Sequence, residues 1–195
     1  SAEGGLQPKE YIAKYGADAV RFGTMRSAPL GQDVLFDEKD VELGRNFCNK
    51  LWNACRFRQM QGGETQGKID RMLLTADDKW ILLKLDKAIT EMIAAFAEYR
   101  FNEATQTLYR FFWSEYCDWY VELAKPILTG EMPAEKQETQ ATAAYVLDQI
   151  LKLLHPFMPF VTEELWGETG KSGPAREKLL ILTEWPDLSG LGDPA

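Results

Sequence analysis

The run from Asp37 to Met60, DEKDVELGRNFCNKLWNACRFRQM, constrains the fold more than any other stretch, because it contains no proline and carries a helix-start signal at its head. Asp37 can cap, and Glu38, Asp40 and Glu42 follow where a helix macrodipole favours acids. One helix of about six turns is expected. On a wheel of about 100° per residue, Val41, Cys48, Leu51 and Cys55 fall on one side, with Trp52 at its margin, and are expected in the core. Lys39, Asn46, Lys50, Asn53 and Phe57 fall in a narrow band on the other side. That band holds no acid, whereas a solvated face normally mixes signs and omits the phenylalanine. Cations suit phosphates, amides suit base edges, and an aromatic ring stacks on an unpaired base, which is what a single-stranded RNA loop requires. Packing of the band against a neighbouring helix accounts for the pattern equally well, so both readings stand at this point.

Charge sharpens the question. The chain carries a formal net charge of −8, which argues against generic nucleic-acid binding, so any RNA site must be local. Between Lys39 and Arg58, five cations (Lys39, Arg45, Lys50, Arg56, Arg58) stand against two anions (Asp40, Glu42), which points to this helix. With 195 residues and 45% hydrophobic content, the chain can bury a core as one main domain with a small appendage. No apolar run approaches a membrane span and no signal-peptide pattern opens the chain, so a cytoplasmic location is expected. Cys48, Cys55 and Cys117 form no C-x-x-C pair and read as reduced thiols, with no disulfide and no metal.

Along the rest of the chain, helices alternate with breaks. Pro8 suits the start of a short helix to Lys14, Ala17 begins a second that ends before Pro29, and residues 30–36 read as an extended connector. Residues 61–67 are a loop by composition, and Thr75-Ala-Asp-Asp78 is a cap for a long helix to about Tyr99. A third helix opens at Asn102 and Glu103 and is expected to stop at Lys125-Pro126. A fourth is expected over Ala141–Leu154, followed by a Pro-punctuated corner at His155 and a short helix over Val161–Trp166. Gly167–Ser172 fails as a phosphate loop, because Leu165 stands where that motif needs glycine. Leu179–Thr183 is the one strand-like run, and residues 188–195 read as a frayed tail.

Arg45-Asn-Phe-Cys-Asn-Lys-Leu-Trp-Asn-Ala-Cys-Arg-Phe57 closely resembles the first helix of the anticodon-binding domain of the valyl-tRNA synthetases. Lys14–Arg21 resembles the segment after the catalytic domain in the valine, isoleucine and leucine group of class I synthetases, and Trp113–Glu122 with Lys125-Pro126 is similar to the family's third-helix motif. The resemblance covers about residues 8–186. It implies an all-α antiparallel bundle of four or five helices over 37–186, a helical linker over 1–36 and a small strand-like tail, with 187–195 flexible. It implies anticodon-loop recognition, with tRNA-binding residues Lys39, Asn46, Lys50, Asn53, Arg56 and Phe57, and with Val121 closing the other side of a base stacked on Phe57. Arg21 and Arg26 either touch tRNA backbone or are simply solvated.

The family's parent enzyme joins valine to its tRNA using ATP and Mg. The ATP-handling signatures His-Ile-Gly-His and Lys-Met-Ser-Lys-Ser do not occur here, so the resemblance implies a fragment with no cofactor of its own, catalytically inactive alone and monomeric. Its expected partners are valine tRNA through the anticodon stem-loop and the catalytic domain of the same polypeptide. Two rivals remain. One is a helical protein-interaction module, and the other is the anticodon domain of the isoleucine or leucine enzyme, against which Asn49-Lys-Leu-Trp-Asn53 counts. Trp113, Tyr116 and Trp119 read as core aromatics, and lone His155 as a helix-end hydrogen-bonding group.

Overall fold

A computed structural model describes residues 7–28, 31, 36–61 and 69–188, without the side chain at 71. The expected connector at 30–36, the loop at 61–67, the flexible start and the tail lie largely or wholly outside these residues. Helix α1 (Pro8–Tyr15) and α2 (Ala17–Arg26) lead into α3 (Glu38–Met60), and the Asp37 carboxylate accepts the Lys39 N–H at 2.9 Å, as a cap should. Thr75 and Asp78 form a reciprocal capping box at the start of α4 (Ala76–Ala97). The chain then runs through α5 (Phe101–Tyr109), a π-helical segment (Arg110–Val121) and α6 (Glu122–Leu128) as one rod. It returns in α7 (Pro133–Leu154) and closes with α8 (Pro159–Thr169).

Cross-helix pairs give the directions. Asp78 meets Tyr120, Lys84 meets Glu115 and Glu91 meets Arg110, so α4 runs antiparallel to the rod. Lys50 meets Asp118 and Phe57 meets Lys125, so α3 runs parallel to the rod, and Arg58 on Asp148 with Gln140 on the Gln61 carbonyl sets α7 antiparallel to both. Helices α3, α4, the rod and α7 therefore alternate up and down, as expected for amphipathic helices that share one core. The core is strongly aromatic. Phe47 lies 5.3 Å from Phe22 and 5.0 Å from Phe112, and Phe112, Tyr116 and Tyr120 follow one another along the rod. The fully buried Tyr120 donates its hydroxyl to Asp78 at 2.7 Å.

Several boundaries differ from expectation. Helix α7 begins at Pro133, eight residues early, because proline is well placed in a first turn. Pro126 does not stop the rod, which continues to Leu128, and the looser winding just before it ends at Val121. Helix α8 gains residues at both ends, and among the described residues Leu179–Thr183 contains a 3-10 turn (Leu180–Leu182) in place of a strand. That turn forms because Glu163 accepts the Leu180 and Ile181 N–H groups, which anchor it locally to α8. Val41, Leu51 and Cys55 are buried as expected, Cys48 only half so, and Trp52 is 40% exposed. Phe47 and Gly44 take up the buried stripe instead. Tyr116 is core, Trp113 is half-buried and Trp119 is exposed.

The N-terminal helices are continuous with the bundle. Phe22 sits in the main core, the Asp18 carboxylate accepts the Phe160 and Val161 N–H groups at the start of α8, and Arg21 donates to the Pro156 carbonyl. Arg26 pairs with Asp40 at 3.5 Å and lies over the Tyr109 ring, so both arginines have partners within the fold. His155 Nδ1 lies 2.9 Å from Thr162 Oγ1, a bond across the corner between α7 and α8. The approach of α2 to α3 is close enough that a Cβ on Gly44 would stand 2.7 Å from the Ala19 carbonyl oxygen, and one on Gly23 would stand 2.9 Å from the Asp40 backbone. Gly44→Ala should therefore push α2 away from α3 and cost about 1–3 kcal/mol of stability, read as a lower urea midpoint with an unchanged slope.

Candidate nucleic-acid interface

A cavity of about 240 Å³ opens where the second half of α3, the rod and α7 converge. Helix α3 contributes Lys50, Asn53 and Phe57, spaced three and four residues apart so that one helical face presents all three. The rod contributes Tyr116, Cys117, Val121 and Lys125, and α7 contributes Gln140, Ala143 and Ala144. Ser172, from the turns after α8, closes one edge.

The π winding decides which rod residues reach this wall. On an α wheel, Arg110 and Ser114 would share the face of Val121. A π turn rotates each residue less than an α turn, and the difference accumulates to roughly half a revolution from Val121 back to Arg110 and to about a third back to Ser114. Arg110 accordingly turns away to Glu91 at 2.9 Å and Glu115 at 3.4 Å, while Cys117, Val121 and Lys125 stay on the cavity.

Of the seven residues expected to bind, Lys50, Asn53, Phe57 and Val121 come together here. Lys39, Asn46 and Arg56 do not line the cavity. All three are exposed, and Lys39 lies about 27 Å from Phe57 along the helix, so the first two extend the polar stripe toward the start of α3. The acid-free band of α3 meets acids from the facing rod. Lys50 Nζ lies 3.9 Å from Asp118 and 5.1 Å over the Trp113 ring, and Lys125, which pairs with Glu122, lies 6.0 Å over the Phe57 ring. Arg58, Tyr116, Gln140 and Ser172 were not among the expected site residues. Those on α7 and beyond lie far away in sequence, and no local pattern marks them.

Beneath the cavity lies a buried ion cluster. The Asp148 carboxylate on α7 accepts from Arg58 Nη1 at 2.6 Å and from Arg176 Nη1 and Nη2 at 2.8 and 2.7 Å. Arg176 also donates to the Trp166 carbonyl and Thr169 Oγ1, with its guanidinium 3.7 Å from the Trp166 ring centroid. Burial works against ionising Asp148, but hydrogen bonds and charge from Arg176 and Arg58 outweigh it and hold the carboxyl below the usual range. Cys117 is on the cavity wall and Cys55 is buried in the core. Burial pushes both thiols up to about 12, so they stay protonated and unreactive at neutral pH. The interface thus offers a stacking ring, an apolar counter-face, amides and cations, and among the described residues nothing there is arranged as a nucleophile with its base. No described helix is long and apolar enough to cross a membrane.

Residues 78–193 match the family model described as the anticodon-binding domain of tRNA ligase, and the chain belongs to that family. It is 48% identical over 182 residues to a valine–tRNA ligase of Rhizobium meliloti (strain 1021), and 48% identical over 185 residues to one of Brucella suis biovar 1 (strain 1330). Those matches cover 93% and 94% of this chain but 19% and 20% of the relatives, so the chain spans about a fifth of the length of the curated relatives it matches. In fold it is similar to the crystal structure of the ternary complex of Agrobacterium radiobacter K84 agnB2 LeuRS with tRNA and LeuAMS. The TM-score there is 0.69 at 17% identity, over 96% of this chain and 22% of that one.

A depressed carboxylate pKa gives a signed expectation. The stability that ionised Asp148 supplies is present above about pH 4 and is lost as pH falls through its lower folded value. At neutral pH, Asp148→Asn should cost about 3–5 kcal/mol in urea unfolding, because two buried guanidiniums lose their counter-charge. The gap between parent and variant should narrow as pH drops below about 4.

Proposed function

We propose that this chain is the anticodon-recognition part of a valine–tRNA ligase. In this reading it binds the anticodon stem-loop of valine tRNA and holds the tRNA so that its acceptor end reaches a catalytic site elsewhere in the same polypeptide. There, valine would be activated with ATP and joined to the tRNA. The observation that carries the reading is the convergence of Phe57 and Val121 on one cavity with Asn53 and Lys50. An unpaired base enters such a cavity by stacking on the ring, with its edge presented to an amide that both donates and accepts. Lys39 and Asn46 lie outside the cavity and serve the backbone and neighbouring nucleotides along the exposed stripe, and Arg56, exposed on another side of α3, serves a phosphate or base oxygen. The identity to valine–tRNA ligases over nearly the whole chain supports valine over its isoleucine and leucine counterparts.

A titration of this chain against valine-tRNA anticodon stem-loops, intact or with one anticodon base replaced at a time, tests the reading at two salt concentrations. Expected is binding that prefers the intact loop and weakens steeply with salt, as phosphate contacts require. Loss of one base stack is worth about 1–3 kcal/mol, so Phe57→Ala should weaken the intact complex about five- to a hundredfold with an unchanged helical melt. Salt-insensitive binding, or equal affinity for every loop, would instead fit a face that docks protein.

A further inference from the structure

Residues 170–178 form a strap that crosses from the end of α8 to the base of the cavity. Arg176 anchors it. All three of its guanidinium nitrogens find acceptors, two of them on Asp148, and its plane stacks on Trp166. Trp166 in turn donates its indole N–H to the Lys178 carbonyl, which fixes the far side of the same strap. Asp148 is shared with Arg58, the residue directly after Phe57 on α3, so one carboxylate ties α3, α7 and the strap at one point.

The tie shapes the cavity at its edge. Ser172 lines the cavity, and next to it Gly173 presses so closely on Arg58 that an added Cβ would stand 2.9 Å from Nη2. That nitrogen is buried and finds no hydrogen-bond partner among the described residues, so the contact with the strap is steric closure and not a bond. Two guanidiniums on one carboxylate leave one net positive charge under a cavity that a polyanion is to enter.

We propose that Arg176 and Gly173 are positioning residues for anticodon discrimination. Through Asp148 and Arg58 they hold the strap against the end of α3, and so set the width of the cavity in which Phe57 stacks. Neither residue lines the cavity. A cavity edge that shifts loosens the fit of the correct base and admits the wrong one, because discrimination depends on a close fit more than total affinity does. The inference rests on the anticodon reading above.

The test uses the 195-residue chain and the same stem-loops, with the intact-to-replaced affinity ratio as readout. Arg176→Met leaves a neutral Arg58–Asp148 pair and an apolar cover on Trp166, so the bundle stays folded. Gly173→Ala changes no charge and pushes directly on Arg58. Each should lower the ratio by about threefold or more while the helical melt stays cooperative. In Gly173→Ala the salt slope should also match the parent, since no phosphate contact is lost. Folded variants that keep the parent's ratio would overturn the positioning role and leave the anticodon reading intact. A parent chain with no preference among loops would overturn both.

Discussion

Two glycines let α2 and α3 touch backbone to backbone, and the orientation of the cavity-lining face of α3 follows from that contact. With Gly23 and Gly44 removing the side chains between them, Phe22 can reach across to Phe47. Phe47 then meets Phe112, and the aromatic series along the rod ends at Tyr120 on the Asp78 carboxylate. Burial of large rings dominates the energetics of such a core, and ring-on-ring geometry fixes azimuth as well as distance. Helix α3 is therefore locked in rotation, with Phe47 inward and Lys50, Asn53 and Phe57 turned to the groove beside the rod. The cavity-lining face is the complement of the core face on one helix.

The cavity depends on elements that are loosely related in sequence but tightly related in space. Helix α3 supplies its chemistry, the rod an apolar counter-face, α7 polar groups and the strap an edge. Its cations are held by acids: Lys50 by Asp118, Lys125 by Glu122, and Arg58 by Asp148. Such pairing leaves little uncompensated positive charge at the cavity of an acidic protein, and under the proposed function an RNA phosphate would displace the paired acids. The two outer pairs are open to solvent and contribute little to stability, whereas the buried one is structural.

Much of this was legible in the sequence where the signal is local. The Asp37 and Thr75 caps, the two faces of α3 and the order of helices follow from spacing within one element, and spacing within one element is set by backbone geometry. The wheel placed Lys50, Asn53 and Phe57 together because they lie on one helix. It left Phe47 out of the buried stripe, because a single ring among Asn, Arg and Cys does not shift the apparent stripe, and only the meeting with Phe22 and Phe112 shows why it is buried. The start of α7 was hidden because a polar first turn opened by proline reads as a loop. The π winding was invisible for a different reason: Arg110–Val121 is so rich in aromatics that apolar residues recur at every helical period. Gln140, Ser172 and the sharing of Asp148 are tertiary facts with no local trace.

The π segment also makes the interface a matter of counting. Its looser turns place Val121 and Lys125 opposite Phe57 only because a fixed number of residues separates them from the α5 end of the rod, which α4 holds in place. Each residue removed or added there turns everything downstream by most of a quarter turn, somewhat less than the step of about 100° in an α-helix, and slides it along the axis. A lineage could therefore exchange nearly any exposed side chain of the rod, yet a single inserted codon between Arg110 and Val121 would present a different face to α3. Chain length in this stretch is under tighter restraint than its composition.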